Sequence, residues 1–166
     1  MDSLPIWGKF LGGTGPFRAA VSLPDGSSVL ACDGFGIWRW NLDDGHVENV
    51  PFEGHSEHLS NILSAAISPH GTLVATAGRD RAVMIWQADS GKVLCGPLEG
   101  HSDDIFALSF SADGKMVASG SDDRKLWVWS AETGQRVCGP MEGHTASVKG
   151  VCFRCASYTV CSNSQV

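Results

Sequence analysis

His101, Ser119 and Asp123 are the residue types of a hydrolytic triad, and His55, Thr76 and Asp80 repeat the set upstream. Triad chemistry needs an imidazole beside the hydroxyl to take its proton, and a carboxylate to orient the ring. An enzyme needs one such centre. Two matching sets argue against catalysis. Trp86 and Trp129 follow the two hydroxyls, and a buried indole N–H needs an acceptor that a hydroxyl supplies. Two further patterns invite chemistry. Cys152-x2-Cys155, with Cys161 and His144 nearby, has zinc-ligand residue types. Cys152 falls on an expected strand, however, and the other thiols trail into a polar tail, so no metal is expected. Gly12-Gly13-Thr14-Gly15 lacks the Lys-Ser/Thr and the helix of a phosphate loop. No cofactor is expected.

These residues are positioned by an internal repeat. Gly54-His55, Gly100-His101 and Gly143-His144 are spaced 46 and 43 residues apart, and Trp40, Trp86 and Trp129 keep the same intervals. Between the marks, short runs such as Leu73 to Ala77 and Met116 to Gly120 are bounded by turns such as Ser68-Pro69-His70-Gly71 and Ser111-Ala112-Asp113-Gly114. Strands bounded by Gly, Asp and Ser about every ten residues predict four strands per unit and no substantial helix. Units are expected at 17–53, 54–99 and 100–142, with an N-terminal segment over 1–16, the start of a fourth unit over 143–153 and a divergent tail over 154–166. The first unit is degenerate. No Gly-His precedes it, and Leu30 to Cys32 offers no hydroxyl, although Asp33 stands where the repeated Asp belongs. Trp38 and Trp127, two residues before the repeated Trp, point the same way along their strands and are expected to pack between units. Cys95 and Cys138 are repeat-equivalent.

Composition removes several function classes. With 12 Lys+Arg against 18 Asp+Glu the net charge is −6, a poor basis for binding nucleic acid or anionic membranes. No apolar run reaches the roughly 18 residues of a membrane helix, and Met1 to Gly15 lacks a signal pattern. Six Cys without regular pairing then read as buried thiols of an intracellular protein. Twenty Gly and seven Pro fit a chain with many turns.

The Gly-His and Trp marks, with four strands between them, resemble the WD-repeat family of β-propellers over about residues 17 to 153. The Asp that follows the family's Trp is replaced by Asn41, Gln87 and Ser130, and the Gly-Pro-Leu-Glu-Gly-His and Gly-Pro-Met-Glu-Gly-His junctions look like those of WD-repeat arrays in fungal signalling NTPases. The resemblance implies an all-β, incomplete propeller of four-stranded antiparallel blades, about three blades plus the first strand of a fourth. It also implies structural tetrads, His55-Thr76-Asp80-Trp86 and His101-Ser119-Asp123-Trp129. Residues beside the tetrad Asp often touch partners in this family, which singles out Arg79 and Asp122. Strand alternation puts Glu57, His58, Arg81, Asp103, Asp104 and Arg124 on the same loop face as Arg79 and Asp122, and the second unit's Gly-His loop has three extra residues there. The function expected is a non-catalytic protein-interaction scaffold. Its partners would be other proteins or another WD-repeat array completing the propeller, with self-association of an open arc also expected. The competing readings are a truncated product of a larger signalling protein, and a hydrolase using the His-Ser-Asp sets. After Phe153 no turn signal is visible, and the repeat register is expected to vanish there as in a truncated array.

Overall fold

In a computed structural model, which describes residues 18–32, 37–50, 62–154 and 160–164, the chain is all-β; the described residues contain no helix. The first antiparallel sheet runs in sequence order through β1 (Ala19–Ser22), β2 (Ser28–Cys32), β3 (Ile37–Asn41) and β4 (Val47–Val50). The second comprises β5 (Ile62–Ile67), β6 (Leu73–Gly78), β7 (Ala82–Gln87) and β8 (Val93–Glu99). The third comprises β9 (Ile105–Phe110), β10 (Met116–Ser121), β11 (Leu126–Ser130) and β12 (Arg136–Met141). Turns set this meander. Gly26, Gly71 and Gly114 hold φ near 71° between the first and second strands, a left-handed conformation in which a Cβ would be strained.

The second and third sheets are blades buried on both faces, so their central strands read as nearly continuous apolar runs rather than simple alternation. Along β6 and β7, Val74, Met84 and Trp86 turn toward the first blade, where they meet Leu30, Cys32 and Ile37. The intervening Ala75, Ala77, Val83 and Ile85 turn toward the third blade and meet Ile105, Phe110, Val117, Trp127 and Trp129. The third blade repeats this division, with Ala118, Leu126 and Val128 facing the fourth unit. This architecture is an open, incomplete propeller whose cores lie between blades.

The fourth unit corrects two expectations. The sequence predicts a single strand followed by a tail without register, yet β13 (Val148–Phe153) pairs with a further strand, β14 (Val160–Ser164). Phe153 faces Val160 as Phe110 faces Val117, and Ser162 faces Val151 as Ser119 faces Leu108. The 43-residue register therefore continues through the tail. The bulge is kept too: Phe106 and Lys149 are each skipped in the pairing, as is Leu63 in the second blade. Sequence reading missed this because no Gly turn marks the connection, although Val160-Cys161-Ser162 matches Val117-Ala118-Ser119 in spacing. Among the described residues, no helix is long and apolar enough to cross a membrane.

Candidate functional site

The third blade brings His101, Ser119, Asp123 and Trp129 together. His101 precedes β9, Ser119 lies in the middle of β10, Asp123 occupies the turn after β10, and Trp129 lies on β11. The imidazole Nδ1 lies 2.9 Å from Asp123 Oδ2, and Nε2 lies 2.9 Å from Ser119 Oγ. Trp129 Nε1 donates to the same Ser119 Oγ at 2.9 Å. With Nδ1–H donating to the carboxylate, Nε2 accepts from the Ser119 hydroxyl, and every polar atom of the set is matched. Backbone N–H groups of Ser102 and Lys125 donate to Asp123 at 3.0 and 2.9 Å, tying the loop before β9 to the turn after β10.

Electrostatics follow from burial. Desolvation lowers the pKa of His101 below its ordinary value, against the opposing pull of Asp123, so the ring is neutral near pH 7. Burial alone would raise the Asp123 pKa. Hydrogen bonds from Ser102, His101 and Lys125 together outweigh it and leave the carboxyl below its usual range. The atoms match a Ser-His-Asp triad, but Ser119 is fully buried and its hydroxyl is shared between an imidazole and an indole. A nucleophile needs an open path to a carbonyl carbon. The set ties the loop before β9, the middle of β10 and the turn after it to β11.

In the second blade Trp86 Nε1 donates to Thr76 Oγ1 at 2.8 Å, with both residues fully buried, and Asp80 accepts from the Ala82 N–H at 3.5 Å. His55, Glu57 and His58, all singled out in the sequence, lie outside the described residues, as do Asp33 and Cys155. In the first blade Ala31 stands opposite Trp38, the place that Thr76 and Ser119 take opposite Met84 and Trp127, so the hydroxyl is missing as expected. The fourth unit holds part of a set that sequence reading missed. His144 Nε2 lies 2.6 Å from Ser162 Oγ, in the manner of His101 and Ser119. Trp127 packs between blades, stacked on Trp129 with ring centroids 5.7 Å apart and covered by the Arg136 guanidinium at 4.9 Å.

On the loop face, the residues beside the tetrad Asp are engaged with neighbouring blades. Arg79 pairs with Asp104 at 3.8 Å, and Asp122 pairs with Lys149 at 2.8 Å. Lys149, the bulge residue, also sits 3.1 Å above the Phe106 ring centroid. Lys149 and Ser147 lower the Asp122 pKa. Arg79 is nonetheless half exposed, and Asp103 is exposed. Sequence reading gave no weight to the backbone at Arg81 and Arg124. Both are exposed, lie 43 residues apart at the same turn, and hold left-handed φ values of 63° and 65°.

The thiols are not all buried as expected. Cys32 is buried, whereas Cys138, Cys152 and Cys161 are exposed because they lie on outer strands or on the outward face of the fourth unit. Among the described residues no three His, Cys, Asp or Glu side chains converge as metal ligands.

Comparison with known proteins agrees with this geometry. The family model described as WD domain, G-beta repeat matches residues 44–87 and 92–130. An uncharacterised WD repeat-containing protein of Nostoc sp. is 38% identical over 77 residues, covering 42% of this chain and 6% of that protein. The human U3 small nucleolar RNA-interacting protein 2 is 32% identical over 102 residues, covering 54% of this chain and 20% of that protein. This chain thus spans a fifth or less of these relatives. A crystal structure of RRP9 WD40 repeats superposes with a TM-score of 0.73 at 29% identity, over 85% of this chain and 43% of that one. With the family model matched across half of the chain and four-stranded blades in the same repeat, the chain belongs to the WD-repeat family.

Proposed function

We propose that this chain is a non-catalytic scaffold that binds other proteins through the loop face of its blades. The observation that carries the proposal is the pair Arg81 and Arg124. A left-handed non-glycine residue costs about 1–2 kcal/mol, and glycine at either place would relieve it. Two exposed arginines, held at this cost in equivalent turns of adjacent blades, are what a charged recognition surface needs. Neither has an ion-pair partner among the described residues, whereas Arg79 and Asp122 spend part of their charge holding blades together. Arg79, Asp122, Asp103 and Asp104 form the rest of the surface.

Mixed Arg and Asp on a chain of net charge −6 suit a protein surface rather than a phosphate backbone. Another repeat array, or a second copy of this chain, is a further partner under this reading. Cys161 and Asn163 lie exposed on a face whose counterpart in the third blade, Ala118, is buried against the fourth unit. The test is quantitative recovery of bound proteins from cell extract by the wild-type chain and two double variants. Arg81→Glu/Arg124→Glu should reduce the specifically retained proteins at least tenfold. Lys92→Glu/Lys115→Glu, with the same charge change on the opposite turns, should retain them. Equal retention by all three chains would overturn the loop-face assignment.

A further inference from the structure

We propose that Cys152 and Cys161 are a redox-responsive pair, a modification site that takes a small-molecule disulfide of the glutathione class and closes to an intramolecular disulfide across the β13–β14 hairpin. The two residues are direct cross-strand partners in the antiparallel register. Alternation puts them on one face. Val151, Phe153 and Val160 point toward the third blade, while Cys152 and Cys161 are exposed on the opposite side. Along that face the next pair is Gly150 and Asn163, so one neighbour has no side chain to crowd the thiols.

The repeat supplies the pairing type. Ser111 N–H donates to the Met116 carbonyl, so the pair two residues on, Ser109 with Ala118, is also hydrogen-bonded. Cys152 and Cys161 occupy that same position in the fourth unit. Opposed residues of this type have Cα atoms about 5.5 Å apart, within the span of about 4.4–6.8 Å that a disulfide bridges. Their Cβ atoms must close by roughly an ångström. Such a bond forms with some distortion and is readily reversed, in the way of exposed regulatory disulfides.

The step balances. One cysteine thiolate attacks glutathione disulfide, forming a protein–glutathione mixed disulfide and releasing one glutathione thiolate. The second cysteine thiolate then attacks the protein sulfur, forming the Cys152–Cys161 bond and expelling the second glutathione. The two thiol protons pass through solvent to the two expelled glutathione thiolates. The protein is oxidised by two electrons, and glutathione disulfide is reduced to two glutathione molecules.

The experiment equilibrates the full chain, initially reduced, in oxidised and reduced glutathione without oxygen. Acid quenching, thiol tagging and peptide mass spectrometry then read every cysteine. The expected result is a monomer that loses two tags together and yields a 152–161 cross-linked peptide; a tenfold increase in reduced glutathione restores both tags. Cys161→Ser should lose the cross-link with an unchanged circular dichroism spectrum. A Cys152–Cys155 link, an intermolecular link through Cys138, stable glutathione adducts at both sites or no loss of tags would each overturn the assignment. These readouts use the wild-type chain, so the outcome does not depend on the variant folding.

Discussion

Replacing Ser119 by Ala removes one oxygen that two buried groups share. Ser119 Oγ lies 2.9 Å from His101 Nε2 and 2.9 Å from Trp129 Nε1, and all three residues are buried. Each buried polar atom left without a partner costs about 1–3 kcal/mol, so the pair predicts a loss of about 2–4 kcal/mol, allowing for partial relaxation. The volume removed is small and adds little. Chains of this size have about 5–15 kcal/mol in all, so the loss should move a urea midpoint clearly without changing the slope. Ser109→Ala is the matched control. Ser109 is half-buried with a single weak bond to the Phe110 carbonyl at 3.4 Å, and its loss should cost under about 0.5 kcal/mol. A Ser119→Ala chain as stable as wild type would refute the reasoning. So would an ester-hydrolysis activity lost from that variant at unchanged stability, since that would return the set to catalysis.

Acidification should destabilise the fold in two stages. The folded-state pKa of His101 is below its ordinary 6.5, so the unfolded chain takes up the proton first; stability is full above about pH 6.5 and falls as the pH drops toward the folded value. Asp123, also lowered, adds a second loss below its ordinary 3.8. Urea midpoints measured between pH 8 and pH 3 check both, and a midpoint that rises on acidification contradicts them. Arg124→Gly should raise stability by up to about 1 kcal/mol, because relief of the left-handed backbone exceeds the entropy that glycine adds to the unfolded chain. A thermal melt of that variant reads the sign directly. Ser162→Ala should cost about 1 kcal/mol, less than Ser119→Ala, since no indole donor to Ser162 is found among the described residues. Chemical denaturation of the two alanine variants side by side ranks them.

Much of the fold was legible because the repeat advertises itself. Ser119, Asp123 and Trp129 each stand 43 residues after Thr76, Asp80 and Trp86, Gly100-His101 stands 46 after Gly54-His55, and residues that recur together are residues that meet. The degenerate first blade was legible for the same reason: no hydroxyl stands near Leu30 to Cys32, and Ala31 takes its place. What escaped notice lacked a local mark. β14 follows a connection with no Gly, so no turn residue marks the strand although Ser162 keeps its spacing from Ser119. Arg79–Asp104 and Asp122–Lys149 join different blades, and no spacing within one unit reveals a partner in the next. The left-handed backbone at Arg81 and Arg124 was hidden because arginine is not a turn residue by type. Cysteine exposure depends on which blade face has a neighbour, which composition alone does not state.

Partner binding at the loop face, as proposed, can be read by hydrogen exchange on the chain with and without a bound partner. Exchange should slow in the turns around Arg81 and Arg124 and in the Ser102 to Asp104 loop, with β8 and β12 unchanged. Protection confined to β8, β12 or the turns at Gly71 and Gly114 would contradict it.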